Sequence, residues 1–388
     1  GFTILRNGPV LYVRKNDNSN FSIDGSDTQG DTKMTIVKDT VQRFTDLPTV
    51  SPNGYVVEVK GDDDTKFDNY YVKFVTNNGG AFEEGQWEET VEAGIEFKFD
   101  YATMPHVLIR QADGNFRFAK VDGDTYSVTV GGVTANYVLP QWGERTVGDA
   151  VSSPDPSFIG RTINNVFFFR NRLGFLAADN VILSRVSEFF NFFPETVLTV
   201  LDSEPIDVAA SHTKVAILKS AVTMGEKLIL FSDQTQFVLA SSADNLTPKT
   251  ANVLVITEFE SSSDAQPVPS GSSIYFLTKK GSFAGIREYV QAGSSNDTRD
   301  AANITIHVPR LIPSNIFKLA VSTNQDILVV LGSDNPNKLY VYRWLYGQGG
   351  TKALSSWFTY TINSNRSILN IDFIGTDLFA VIEEANKV

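Results

Sequence analysis

Lys227-Leu228-Ile229-Leu230-Phe231-Ser232-Asp233-Gln234-Thr235-Gln236-Phe237-Val238-Leu239 holds two apolar runs separated by a short polar turn. A strand with one wet face alternates apolar and polar residues, whereas a run that stays apolar is buried on both faces. The unit recurs. Asn165-Val166-Phe167-Phe168-Phe169, Ser273-Ile274-Tyr275-Phe276-Leu277, Asp326-Ile327-Leu328-Val329-Val330 and Asp377-Leu378-Phe379-Ala380-Val381 read the same way, with starts 46 to 62 residues apart. A period of about 40–50 residues with several strands per unit is what propeller blades produce, and blades stack face to face. A sandwich repeats its strands every ~8–12 residues with no longer period. The expectation is an all-β, β-propeller-like chain in which these five strands fall in five different blades.

The rest of the chain supports an all-β reading. Tyr55-Val56-Val57-Glu58-Val59, Tyr70-Tyr71-Val72-Lys73-Phe74, Tyr126-Ser127-Val128-Thr129-Val130 and Lys338-Leu339-Tyr340-Val341-Tyr342 are β-branched or aromatic and bounded by Gly, Asn and Asp turns. Only Val186 to Phe193 and His212 to Ala221 offer short helix candidates. Composition shifts near residue 150, where Ser152-Ser153-Pro154-Asp155-Pro156-Ser157 reads as a linker. Residues 1–150 are expected to form a β-rich N-terminal or inserted region, with a subdomain at about 41–120. Residues 151–388 are expected to carry the blades, not all of them complete. The chain starts at Gly1 and stops at Val388 after a strand-like run, so both ends read as cut.

The 388 residues carry 33 Lys+Arg and 45 Asp+Glu, a net charge of −12. That balance argues against a protein that grips nucleic acid along its phosphates, which takes clustered Lys and Arg. No apolar run approaches the roughly 20 residues of a membrane helix, so no spanning segment is expected, and no signal peptide is visible. The absence of Cys excludes disulfides, thiolate catalysis and Cys-ligated zinc within these residues. The three His, His106, His212 and His307, are far apart.

No H-E-x-x-H, phosphate-binding loop, dinucleotide fingerprint or G-x-S-x-G elbow occurs. Ser211-His212-Thr213-Lys214 fits S-x-x-K without its partner motifs and reads as a loop. Asp62-Asp63-Asp64, and Glu83-Glu84 with Glu88-Glu89, are acidic clusters of the kind that bind Ca²⁺ or act as acid and base. Adjacent carboxylates on a strand point to opposite faces, so they read as solvated turns and edges. Asp17 to Asn20 and Asp24 to Asp31 lack the spacing of a calcium loop. Arg170 and Arg172 interrupt an apolar strand pair, and a charge among so many Phe needs a partner: a carboxylate of another blade or subunit, or a phosphate. His106 reads as a hydrogen-bonded residue at a strand start. No catalytic, cofactor-binding or metal-ligating residue is therefore assigned.

Longer segments carry a resemblance. They include Asp46-Leu47-Pro48 to Asn53-Gly54-Tyr55, Asp68-Asn69-Tyr70-Tyr71-Val72, Thr103-Met104-Pro105-His106-Val107-Leu108-Ile109-Arg110 and Phe158-Ile159-Gly160. Asn165 through Phe167-Phe168-Phe169-Arg170-Asn171-Arg172-Leu173-Gly174-Phe175-Leu176, Asn180-Val181-Ile182-Leu183-Ser184-Arg185, Pro205-Ile206-Asp207-Val208-Ala209, Gln236-Phe237-Val238-Leu239, His307-Val308-Pro309 and Ile312-Pro313 complete the set. In collinear order over most of the chain, these resemble the tail tubular protein B family, the nozzle proteins of short-tailed podovirus bacteriophages. The resemblance implies a structural protein of the virion tail with a propeller-like fold and inserted β domains. It implies a six-fold ring (a hexamer) below a gatekeeper tail tubular protein, which retains and then conducts viral DNA during ejection and helps anchor tail fibres. Net −12 per chain, repeated around a ring, would repel a like-charged polymer rather than hold it.

The alternative is a phage propeller that binds or hydrolyses glycan. Against it, the S-x-D-x-G-x-x-W turns of many glycosidase propellers are absent. Trp87 with Glu88 and Glu89, and Trp142 with Glu144, are the neighbourhoods that reading would need. A soluble propeller adaptor without a conduit role is the third possibility.

Overall fold

The computed structural model describes residues 1–30, 33–61, 69–213, 216–243, 245–290, 301–347, 352–384 and 387. It is built almost wholly of strands; among the described residues the one helical element is a single 3₁₀ turn at Phe44–Asp46. The two helix candidates are corrected accordingly. Val186 to Phe193 runs as bridges and turns with Ser187 at φ +64°, and the described part of His212 to Ala221 is irregular chain, with a bend at Thr213, leading into a strand. The chain divides into two compact units, residues 1–156 with 184–205, and residues 157–183 with 206–388.

The first unit begins with a two-stranded ribbon, β1 (Phe2–Asn7) and β2 (Val10–Lys15). Its main sheet uses β3 (Thr40–Val41), β4 (Val50–Pro52), β5 (Val56–Val59), β6 (Tyr70–Thr76) and β7 (Phe82–Thr90), in the order β3-β5-β6-β7-β4. Val41, Val57, Val59 and Val72 form the core of that sheet, covered by Tyr55, Tyr70 and Trp87. Two further ribbons follow: β8 (Val107–Arg110) with β9 (Phe116–Ala119), and β10 (Thr125–Val130) with β11 (Val133–Val138). Segment 184–205 packs here, its Phe193 ring stacked on Phe99 at 5.0 Å.

Among the described residues the second unit holds four antiparallel sheets of four strands each, in strict chain order. The first contains β12 (Ile163–Phe169), β13 (Arg172–Ala177), β14 (Asn180–Leu183) and β15 (Ile206–Ala209). The second contains β16 (Ser220–Met224), β17 (Lys227–Phe231), β18 (Gln236–Ser241) and β19 (Ala251–Thr257). The third contains β20 (Val268–Ser270), β21 (Ser273–Lys280), β22 (Phe283–Val290) and β23 (Ala301–Asn303). The fourth contains β24 (Ile316–Ser322), β25 (Ile327–Gly332), β26 (Lys338–Tyr346) and β27 (Lys352–Thr361). The fifth sheet is the pair β28 (Arg366–Ile374) and β29 (Asp377–Glu384). The five apolar runs that set the repeat lie in five different sheets.

Each sheet neighbours the next through its first strand, β12 to β16 to β20 to β24 to β28. This is the arrangement of propeller blades around an axis. Alternation along each strand explains why the runs are apolar throughout. Leu228 and Leu230 pack toward the first sheet with Leu176, Val181 and Leu183. Their neighbours Ile229 and Phe231 pack toward the third with Ile274 and Phe276. Tyr275 and Leu277 then meet Leu328 and Val330, and Val329 and Leu331 meet Ile368 and Ile371. Each such side chain taken fully from water contributes roughly 1.5–3 kcal/mol. The fold is all-β and propeller-like. A Cβ on Gly174, in the wholly buried β13, would lie 2.4 Å from the Phe167 ring and 2.8 Å from Leu183, so a larger residue there would force those side chains to shift.

Candidate assembly surfaces

The acidic clusters do not converge. Asp62-Asp63-Asp64 lies outside the described residues, as do Asp31 of the second Asp-rich loop and Lys214 of the S-x-x-K match. On β7, Glu84 and Glu88 are exposed on one face, while Glu89 points to the other. Glu89 accepts hydrogen bonds from Thr196 Oγ1 and the Val197 amide, both at 2.7 Å, and so ties down segment 184–205. Glu83 accepts from the Gly80 amide at 2.8 Å and closes a turn. Asp17 accepts from the amide and hydroxyl of Ser19, which lowers its pKa. Asp27 accepts from the amides of Gln29 and Lys33. Glu83, Asp17 and Asp27 thus serve nearby backbone amides, and Glu88 accepts from Gln86 Nε2 at 2.9 Å. Among the described residues no group of three or more His, Asp or Glu side chains is placed to hold a metal ion.

The tryptophans of the glycan reading are core residues. Trp87 donates from Nε1 to the Pro48 carbonyl at 2.8 Å and packs edge-on to Phe74. Trp142 is buried, edge-on to Phe190. Gln141 Nε2 is 3.4 Å from Glu144 Oε1. Neither tryptophan offers an exposed ring for a sugar to stack on.

Arg170 and Asn171 form the β12–β13 turn at φ +45° and +62°. Arg170 donates from Nη2 to the Glu226 carbonyl at 3.5 Å, reaching the β16–β17 turn of the next blade. Its partner there is a backbone carbonyl and not the expected carboxylate. Between these turns lies a cleft of about 370 Å³ lined by Phe168, Phe169, Arg170, Thr223, Gly225 and Glu226. Arg172 is almost wholly buried on β13. His106 holds the Met104 carbonyl at 2.9 Å through Nδ1, the strand-start role expected of it, and stacks on Phe118. His212 Nε2 is 3.4 Å from Glu258 Oε1, and His307 is exposed in a turn.

Three buried charge sites escaped the sequence reading. Arg145 donates to Asp155 at 2.6 Å and to the Glu96 carbonyl. Arg185 gathers Glu188, Glu195 and Glu204; burial of Glu204 raises its pKa against the lowering effect of its hydrogen bonds and Arg185. The third joins two blades. Glu288 on β22 accepts from Tyr275 at 2.9 Å, from Ser273 at 3.2 Å and from the Lys352 ammonium of β27. Lys352 also lies 5.4–5.7 Å from the ring centres of Tyr342, Trp344 and Tyr346. Burial opposes its charge, but the hydrogen bond and charge of Glu288 prevail, so its pKa is raised. Burial, then the Glu288 charge, pushes the Tyr275 hydroxyl up strongly.

Several of the exposed large apolar side chains are grouped on two-stranded ribbons. β1–β2 shows Phe2, Ile4 and Leu11, and β28–β29 shows Ile374, Phe379 and Val381. On β8–β9, Leu108, Phe116 and Phe118 are 65%, 64% and 72% exposed. Large apolar side chains grouped on one exposed face mark surfaces of association.

A profile described as bacteriophage nozzle protein matches residues 1–388. The chain belongs to the bacteriophage nozzle protein family. It is 36% identical over 341 residues to tail tubular protein gp12 of Escherichia phage T7, a match covering 88% of this chain and 40% of that protein. The chain thus spans less than half the length of that relative. As a member of the family it is a structural protein of the phage tail. Among solved structures, Hsv2 of Kluyveromyces lactis aligns at 10% identity with a TM-score of 0.38, covering 72% of this chain and 70% of that one. The WD40 domain of Toxoplasma gondii coronin aligns at 12% and 0.35, covering 83% and 72%.

Proposed function

We propose that this chain acts without catalysis, as a subunit of a six-fold nozzle ring through which viral DNA is retained and then ejected. The observation that carries the reading is the family match along the whole chain. The site chemistry agrees with it: Glu83 and Glu89 of β7 serve a turn and a packed segment, and the rings of Trp87 and Trp142 pack against other aromatic rings. A conduit needs a surface that lets phosphate pass, since each Lys or Arg contact with DNA releases counterions and adds grip. A chain of net −12 suits that need. In this reading residues 151–388 supply blades and residues 1–150 a β-rich accessory region with its subdomain at about 41–120. The ring's neighbours are a gatekeeper tail tubular protein above and tail fibres at its side.

The test is made on the particle. Antibody against this chain is expected to mark the tail, and particles lacking the protein are expected to lose or fail to eject their DNA. Unlabelled tails, or normal retention and ejection without the protein, overturn the reading. Release of reducing sugar from host capsule by the purified chain, abolished by Glu88→Gln or Glu89→Gln, would put the glycan reading in its place.

A further inference from the structure

The β8–β9 ribbon has two unlike faces. In its register Leu108 stands opposite Phe118 and Arg110 opposite Phe116, all four on one face and all exposed. Val107, Ile109 and Ala119 on the other face are half-buried, and Arg117 there lies over the Tyr126 ring at 4.7 Å, which ties the ribbon to β10. His106 stacks on Phe118 with ring centres 5.1 Å apart and holds that ring in place. The apolar face is therefore fixed and turned outward. A two-stranded ribbon is marginal by itself in water, and one with such a face gains from being covered.

Charge indicates what covers it. Among the paired residues the outward face carries Arg110 and no carboxylate, while Arg117 lies on the other face, in a chain of net −12. The outward face of the ribbon is basic and apolar, on an acidic protein. Its complement is the surface of another copy: a ring built head to tail needs two different patches on every subunit, one of which fits the other. A DNA phosphate would satisfy the arginine and leave Leu108, Phe116 and Phe118 in water. We infer that the outward face of β8–β9, made of Leu108, Arg110, Phe116 and Phe118, is an inter-subunit contact that docks on an acidic surface of the next copy. This rests on the ring reading above and adds the element that makes the contact.

The experiment uses full-length protein in assembled tails, with Phe118 replaced by photoreactive benzoylphenylalanine and subunits drawn from mixed light and heavy isotope cultures. Irradiation is expected to join two copies, with mixed-isotope cross-linked peptides seen by mass spectrometry. Separately, Phe118→Asp is expected to lower the assembled fraction at least tenfold, and Arg110→Glu to weaken assembly in a salt-dependent way, while the circular dichroism and Tm of the unassembled subunit stay unchanged. Cross-links confined to one copy, to another tail protein or to DNA overturn the inference and leave the ring reading standing, as does normal assembly of Phe118→Asp. If electron microscopy of unmodified particles shows no ring of this chain, the ring reading itself falls.

Discussion

Removing the Lys352 ammonium tests the tie between the third and fourth blades most directly. The Glu288 side chain is 4% exposed and that of Lys352 21%. Lys352→Met keeps most of the stem volume but leaves a buried carboxylate with only the Tyr275 and Ser273 hydroxyls of its three donors. Breaking a buried ion pair from one side costs about 3–5 kcal/mol. The two remaining donors and the partial exposure of Lys352 place the loss near the low end, about 3 kcal/mol. For a unit of roughly 200 residues that is a fall of about 6–12 °C in melting temperature. Trp344 and Trp357 both pack on Tyr342 beside the pair, so their share of the tryptophan fluorescence reports this unit. The double variant Lys352→Met with Glu288→Gln removes both charges, and Gln still accepts from Tyr275. It is expected to recover most of the loss, since neutral isosteres of buried pairs are often tolerated. A drop under about 2 °C for Lys352→Met, or a double variant no better than the single, would refute the reasoning.

Base should unfold the protein early. Lys352, Tyr275 and Tyr55 (pushed up to about 12 by burial and the Asp39 charge) all hold protons in the folded state beyond the pH at which the unfolded chain loses them. Their stabilisation is complete below about pH 10 and is lost as pH rises through the folded values, so Tm should fall steeply above pH ~10. Phe237→Ala, between the first two blades and fully buried, should cost about 3–5 kcal/mol by urea titration. Glu89→Gln should cost about 1–2 kcal/mol and expose segment 184–205 to protease, whereas Glu88→Gln should stay within about 0.5 kcal/mol. Equal effects of the two would contradict their opposite facing on β7.

The blades were legible because strand geometry leaves its mark on every second residue. Leu228-Ile229-Leu230-Phe231 could be apolar throughout only if both faces were covered, and the structure covers them with sheets on either side. The same local logic misled at Val186, Phe189, Phe190 and Phe193. Their spacing is i, i+3, i+4, i+7, the stripe of a helix, yet Arg185 draws Glu188, Glu195 and Glu204 together and the chain turns through Ser187 with positive φ. An ion cluster spanning twenty residues outweighs a preference worth a few tenths of a kcal/mol per residue. Pairings across blades left no mark to read, because Tyr275, Glu288 and Lys352 lie on three strands whose register only folding establishes. The apolar face of β8–β9 was hidden for a related reason. Leu108 and Ile109 are alike in sequence, and only the pairing of Leu108 with Phe118 shows which of them the fold leaves in water. What a sequence displays is how much apolar surface must be covered; which part is covered by the chain itself and which is left for a neighbour depends on register. Residues of assembly are therefore found among side chains that look like core and are not.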